Sequence, residues 1–457
     1  MKKTYINLTP IALVATMMMS QAYAEDAVLN DVVVTATPMT SPFLIETDPK
    51  QPRQPLPAHD GADYLKTIPG FTVMRKGGTD GEAVFRGMLG SRLNIMIDDQ
   101  NVVGGCNGRM DAPTAYIFPE AYDKLTVIKG PQTVQYGNMG SAATIKFDRD
   151  PQEYKHSGKS FQASGLVGSF GRHDEFVDAQ VGNESLYLQA IGTNSQSGNY
   201  KDGSGKEYHS GYHRWSGNLA FGLTPDNNTK LEFSAARSDG WAKYADRGMD
   251  GTKFLRENYA FKFERKNVSP LVEKVGFQVS QNTIDHVMDD ITFRIHNYSN
   301  PMQMPPIARV DHDTKQGRIY ADLNLSQRTK VKVGSDYFES THSSETYTNA
   351  IPSVGGGLAD NAKFKSAGVF AELTQKLNES QQMVAGYRVD SWEADKLTGS
   401  NAGSRDATLQ SGFIRHESLL TNGWMSYLGF GHTERAPDYW EAIGVNMGMG
   451  PSFATVK

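Results

Sequence analysis

From about residue 160 onward, apolar and polar residues alternate with a period of two. Val275, Phe277 and Val279 alternate with Gly276, Gln278 and Ser280, and Leu231, Phe233 and Ala235 with Glu232, Ser234 and Ala236. Ile319, Ala321, Leu323 and Leu325 repeat the pattern, as do Tyr259, Phe261 and Phe263. Side chains on a strand point to opposite faces in turn, so each run has one apolar and one polar face. One face suits lipid and the other an aqueous lumen, as a membrane-spanning barrel strand requires. A soluble β-sandwich alternates in the same way. A helical membrane protein is excluded for the part beyond the N-terminus, where no apolar run reaches the ~18 residues of a spanning helix.

The N-terminus separates barrel from sandwich. Lys2 and Lys3, the apolar stretch Ile11 to Met19 and the small-x-small triplet Ala22-Tyr23-Ala24 have the form of an export signal over residues 1–24. An exported chain with many alternating strands and no spanning helix fits a bacterial outer-membrane barrel. Asp31-Val32-Val33-Val34-Thr35-Ala36 is a short β-prone run, and the six prolines from Pro38 to Pro57 mark residues 25–58 as a linker. Such a run on a tether can add as an extra strand to a partner's sheet. Residues 59–150 read as a compact α/β domain, with a short helix over 60–68 ended by Pro69-Gly70. Strands are predicted at 71–74, 93–98 and 123–128, with Asp98-Asp99 as a turn.

The chemistry concentrates in Gly104-Gly105-Cys106-Asn107-Gly108-Arg109-Met110, a glycine-rich stretch holding the one cysteine of the chain. In an exported protein a single cysteine, with no second one in the sequence for a disulfide, calls for a reason. Thiolate and thioether are soft donors that select Cu(I), and Cys106 with Met110 supplies two of them. The best second half is His286-Val287-Met288. If that segment is extended, residues 286 and 288 point the same way. Met302 and Met304 are possible auxiliary ligands, Met447 and Met449 a further soft pair, and His296, His312 and His342 weaker candidates. Structural-zinc and enzyme motifs are absent from the sequence, and a net charge of -5 argues against nucleic acid as a partner.

Several segments together resemble the plug of the TonB-dependent outer-membrane receptors. They are Tyr64 to Phe71, Phe85-Arg86-Gly87, Ile97-Asp98-Asp99, and Val127-Ile128-Lys129-Gly130-Pro131 with Tyr136-Gly137, in the family's order. The departure is Ser141 to Phe147, where the family has a glycine-rich end to the plug. The resemblance implies a mainly β chain, a transmembrane antiparallel barrel over residues 151–457 with an α/β plug over residues 59–150 inside its lumen. It makes Asp31 to Ala36 the TonB box, TonB of the inner membrane a partner and outer-membrane lipid the surroundings. Cys-x-x-x-Met on the plug with His-x-Met on the barrel, and Thr433 to Glu441, resemble the family's copper-importing branch. That implies Cys106, Met110, His286 and Met288 as the ligands of a copper ion, Cu(I) before Cu(II). A receptor for a siderophore or haem chelate, and a non-transporting surface protein, remain the alternatives.

The polar inserts Gly192 to Gly211, Asp239 to Arg256, Asn282 to Asp313 and His342 to Lys363 read as long extracellular loops. About 300 residues after the plug leave room for about a dozen strands, fewer than the ~22 of plugged transporters. With no terminal aromatic at Lys457, this suggests a barrel lacking its last strands.

Overall fold

The computed structural model describes residues 39–41, 43–51, 53–106, 111–150, 154–296, 299, 307–347, 358–398, 402–420 and 424–443. The export signal (1–24) and the run Asp31 to Ala36 lie outside the described residues.

The N-terminal unit contains eight strands: β1 (Met39–Ser41), β2 (Leu44–Thr47), β3 (Phe71–Arg75), β4 (Gly81–Phe85), β5 (Leu93–Ile97), β6 (Gln100–Asn101), β7 (Lys124–Lys129) and β8 (Ala143–Asp148). Six of them form one sheet in the order β1-β2-β7-β8-β5-β6, and β3 pairs with β4. The predicted helix is a short one, Gly61–Leu65, whose N-cap Asp60 accepts from the Asp63 amide. The chain leaves it through Gly70 at a φ of 98°, a conformation glycine adopts freely. Asp98 and Asp99 make the predicted two-residue turn between β5 and β6, both at positive φ, as a tight hairpin turn of this kind requires. Aliphatic side chains from both faces, among them Leu65, Ile97, Leu125, Val127 and Ile145, build the core together with Phe176 and Ile191 of the barrel.

Thirteen further strands form one antiparallel sheet, each paired with its neighbours in the sequence: β9 (Gly158–Gly168), β10 (Arg172–Gly182), β11 (Leu186–Ser197), β12 (Tyr212–Asp226), β13 (Thr229–Ala242), β14 (Asp250–Lys266), β15 (Val272–Asp289), β16 (Ile307–Asn324), β17 (Thr329–Tyr347), β18 (Ala359–Lys376), β19 (Gln381–Lys396), β20 (Gly403–Leu419) and β21 (Met425–His432). Their outer face exposes Phe233, Tyr259, Phe277, Val279 and Ile319, while Gln278, Ser280 and Asn282 are buried on the inner face. The alternation thus sorts apolar residues to lipid and polar ones to the lumen. Among the described residues β9 and β21 are the two ends of the sheet and do not pair, so the barrel is open. No described helix is long and apolar enough to cross a membrane.

Two sequence expectations are corrected. Leu44–Thr47, assigned to the linker, is a strand paired with β7. Pro49, on its C-terminal side, lies outside the ladder and does not interrupt it. The four long polar inserts are in part strand: β11 runs to Ser197, β14 starts at Asp250, β15 runs to Asp289 and β18 starts at Ala359. Beyond the lipid the outer face meets water, so the apolar half of the alternation disappears while main-chain pairing continues.

Lumen and plug are joined by polar contacts. Gln316 accepts from the Asn101 amide (2.9 Å) and donates to the Asn101 carbonyl (2.8 Å), matching the edge of β6 as another strand would. Gln278 donates to the Asp98 carbonyl (2.8 Å), and Asn138 donates to Ser366 (2.7 Å).

Candidate metal centre

After β6 the chain runs through Val102 and Val103 into Gly104, Gly105 and Cys106. A loop with no ladder of its own must find partners for its amides elsewhere. Asp111 supplies them, fully buried, accepting from the Gly105 amide at 2.6 Å, the Cys106 amide at 2.8 Å and the Tyr116 hydroxyl at 2.9 Å. Charge-assisted bonds to a carboxylate are the strong class. Gly104 makes the turn possible, because a Cβ there would run into the Asp111 carbonyl. Burial, and the Asp111 carboxylate beside it, push the Tyr116 phenol well above its usual range and keep it neutral. Cys106 is buried by this arrangement.

The facing wall is β15. A Cβ built on Gly105 would lie 3.5 Å from Ile284 Cγ2 and 3.6 Å from His286 Cβ, so the loop rests on this strand. His286 stands opposite Phe254 of β14 and Val310 of β16. It is 1 % exposed, and neither ring nitrogen has a hydrogen-bond partner. The Lys253 main chain is near enough to be felt electrostatically but not in hydrogen-bond geometry. A buried imidazole with both nitrogens unpaired is costly unless something else binds there. Met288 lies two residues on, also buried, so the His-x-Met pair shares the lumen face as extended geometry predicts. Met288 packs with Tyr212, Tyr244, Met249 and Phe254. Phe254 joins the two ligand candidates, its ring centroid 4.6 Å from that of His286.

The structure therefore sets Gly105, the residue before Cys106, against β15 beside His286 across the plug–barrel boundary, with Met288 one pleat further along; Cys106 itself lines a cavity with His312. The expected loop position of His286 and Met288 is corrected: both belong to β15, paired on either side. Met110, Met302 and Met304 lie outside the described residues. Among the described residues no three His, Cys, Asp or Glu side chains converge closely enough to hold an ion by themselves.

Sequence reasoning missed Asp111, Tyr116, Phe254 and Tyr244. Asp111 was within reach of it, as an Asp beside a glycine-rich turn is a common acceptor for loop amides. Tyr244, in the segment between β13 and β14, has its phenol pushed well above its usual range by burial first and then by Asp80 and Cys106 nearby. A cavity of about 120 Å³ opens beside Cys106, lined also by Asp111, His312, Phe364, Tyr439 and Trp440.

Residues 40–144 match the family described as TonB-dependent Receptor Plug Domain, and residues 192–456 the family TonB dependent receptor-like, beta-barrel. Among solved structures, a copper transporter, OprC, is 42% identical over 90% of this chain and 66% of its own, with a TM-score of 0.85. The FrpB iron transporter from Neisseria meningitidis is 14% identical, over 86% of this chain and 64% of its own, with a TM-score of 0.68. The hemophore receptor HasR from Serratia marcescens is 15% identical, over 87% and 64%, also at 0.68. The last two share the fold alone. The chain spans slightly less than two thirds of the length of these proteins. No curated protein sequence matches it.

Proposed function

The chain belongs to the TonB-dependent receptors, transporters of the Gram-negative outer membrane, and we propose that its cargo is copper, captured between Cys106 and Met110 of the plug and His286 and Met288 of the barrel. The observation that carries this reading is the approach of the Cys106 loop to an unpaired, buried His286. The 42% identity to a copper transporter supports the same metal. So does the small cavity, about 120 Å³ against the roughly 300–1,000 Å³ of pockets for drug-sized ligands. A thiolate with two thioethers and one imidazole is a soft set and favours Cu(I) over Cu(II).

In this reading residues 1–24 direct export, and Asp31 to Ala36 is the TonB box that adds as a strand to TonB. A pull transmitted through it shifts the plug, parts Cys106 and Met110 from His286 and Met288, and releases the ion inward. Because the ligands sit on two bodies, affinity depends on their relative position. Met302 and Met304 are auxiliary soft donors on the way in.

Elemental analysis of the purified, detergent-extracted chain tests the site. Near-stoichiometric copper in the wild type, lost in Cys106→Ser and in His286→Ala, is the expected result. A folded wild-type chain that takes up no copper refutes it.

A further inference from the structure

Two more histidines are buried in the lumen wall beside the Cys106 loop. His312 on β16 and His342 on β17 stand directly opposite each other in the ladder, 5 % and 1 % exposed. Their ring centroids are 4.5 Å apart, edge to face. His312 also pairs in register with Ile284, which carries the Cys106 loop, so the pair lies one diagonal step from His286.

Each of these rings keeps one buried nitrogen without a partner, Nδ1 of His312 and Nε2 of His342. The main chain of Gly104 runs beside His312 and that of Gly105 beside His342, outside hydrogen-bond geometry for these two nitrogens. On the other side of His342 the network is complete. Asn361 donates to Ser344 at 2.6 Å, so its carbonyl is left to accept from His342 Nδ1 at 2.7 Å. A proton on Nδ1 leaves Nε2 as the lone-pair nitrogen. An imidazole whose second N–H is held by a neighbouring acceptor is the usual condition of a metal ligand.

The surroundings hold the pair in place. Tyr439 stacks on His342 at 3.6 Å and 16°, and Trp440 meets it edge-on at 5.5 Å. Both aromatics belong to the helical turn Tyr439–Ala442, fixed by a capping box between Asp438 and Glu441 and by the Arg435–Glu441 ion pair. His312 lines the same cavity as Cys106.

We propose that His312 and His342 form a second copper station, an all-nitrogen site for the divalent ion, next to the thiolate–thioether site, with His312 on the wall of the cavity beside Cys106. The choice of metal rests on the copper reading above. The preference for the divalent ion rests on donor chemistry: imidazole suits Cu(II), which binds most tightly among the divalent first-row ions, whereas thiolate and thioether suit Cu(I). A receptor with both kinds of donor side by side holds copper in either oxidation state, without a redox step at the histidine pair.

The test uses the full chain in detergent with Cys106→Ser and His286→Ala, which removes the thiolate and the imidazole of the first site. Cu²⁺ is titrated in and read by electron paramagnetic resonance, with circular dichroism confirming an intact barrel. About one equivalent of Cu²⁺ with hyperfine splitting from two nitrogens is expected. Adding His312→Gln and His342→Gln, which keep polarity and approximate volume, is expected to weaken binding at least tenfold and remove the splitting. An unchanged signal after that addition, or no bound Cu²⁺ in the folded background variant, overturns the proposal. Cu(I) binding by the wild type, measured in parallel under reductant, separates the outcomes. If it persists while Cu²⁺ binding is absent, only the second station fails; if it too is absent, the copper reading fails.

Discussion

Asp111→Asn isolates what the Cys106 loop needs in order to bind. The substitution keeps the shape of the side chain and one acceptor oxygen, and turns the other into a donor facing an N–H. One of the two amide bonds, to Gly105 or Cys106, is lost, and the rest lose their charge assistance. Hydrogen bonds to charged groups contribute about 1.5–3 kcal/mol each, so the ordered loop is destabilised by about 2–3 kcal/mol. If the ligands are competent only when the loop is ordered, apparent affinity falls by the fraction lost, roughly 30- to 150-fold. Tyr116→Phe removes a single bond of the same cluster and is expected to cost about 1 kcal/mol, near fivefold. The assay is competition for Cu(I) against a coloured chelator, with wild type, both variants and Cys106→Ser in parallel. Wild-type affinity in Asp111→Asn refutes the ordering role. A loss as complete as that of Cys106→Ser also refutes it, and makes Asp111 a ligand rather than a support.

Gln316→Ala strips both hydrogen bonds from the Asn101 main chain, which seats the strand leading to the loop. We expect about 2 kcal/mol of local loosening, read as faster hydrogen exchange from 101 to 106; unchanged exchange counts against this contact as an anchor. Acid weakens the plug through Asp63. Burial by itself raises its pKa, but Lys66, the His59 amide (2.9 Å) and Arg75 (2.9 Å) outweigh it and hold it at about 2, below the usual 3.8. A depressed carboxylate stabilises the fold above its unfolded pKa, and this contribution fades as pH falls from about 4 toward 2. Allowing for partial solvent screening, it is on the order of 1 kcal/mol. Asp63→Asn should flatten plug protection between those pH values, and an undiminished pH slope in the variant would show that other groups carry it.

The sequence made the barrel legible because lipid enforces a strict alternation: Phe277 and Val279 outward and Gln278 and Ser280 inward follow from period two alone. It was equally clear about Asp98-Asp99, since few residues accept positive φ in a two-residue turn. Above the lipid that signal stops. There the outer face of Asn282 to Met288 carries Thr283 and Asp285 in place of lipid-facing residues, so a continuing strand reads as a loop. The two halves of the proposed metal site were visible as residue types, and the approach of the Gly105 main chain to β15 was not. Cys106 and His286 lie on different domains, and the docking of β6 and its turn on the lumen wall, through Gln316 and Gln278, sets which strand the loop touches. His312 and His342 were ranked low for the same reason. Thirty positions apart in the chain, they become neighbours only through the β16–β17 register.

On the proposed function, the plug sheet also limits how a pull at the N-terminus would reach a bound ion. In the order β1-β2-β7-β8-β5-β6, the strand nearest the N-terminal tether is at one edge and the strand that leads to Cys106 at the other. Four residues of β2 pair with β7, whereas the loop is held by Asp111 within the plug and by Gln316 across the lumen. A strand peeled from an edge breaks its bonds one after another, each contributing only about 1 kcal/mol. Under a pull β2 therefore leaves β7 well before the far edge is loaded, and peeling of β1 and β2 alone does not disturb Cys106. Separation of Cys106 from His286 requires the force to pass through β7 and β8 into β5, by moving the plug as a body or by unravelling it further. The parallel β5–β8 pair, Leu93 to Ile97 against Ala143 to Phe147, is the joint that must transmit it. In the proposed cycle release is thus tied to the last part of the stroke, and engagement of TonB alone leaves the copper bound.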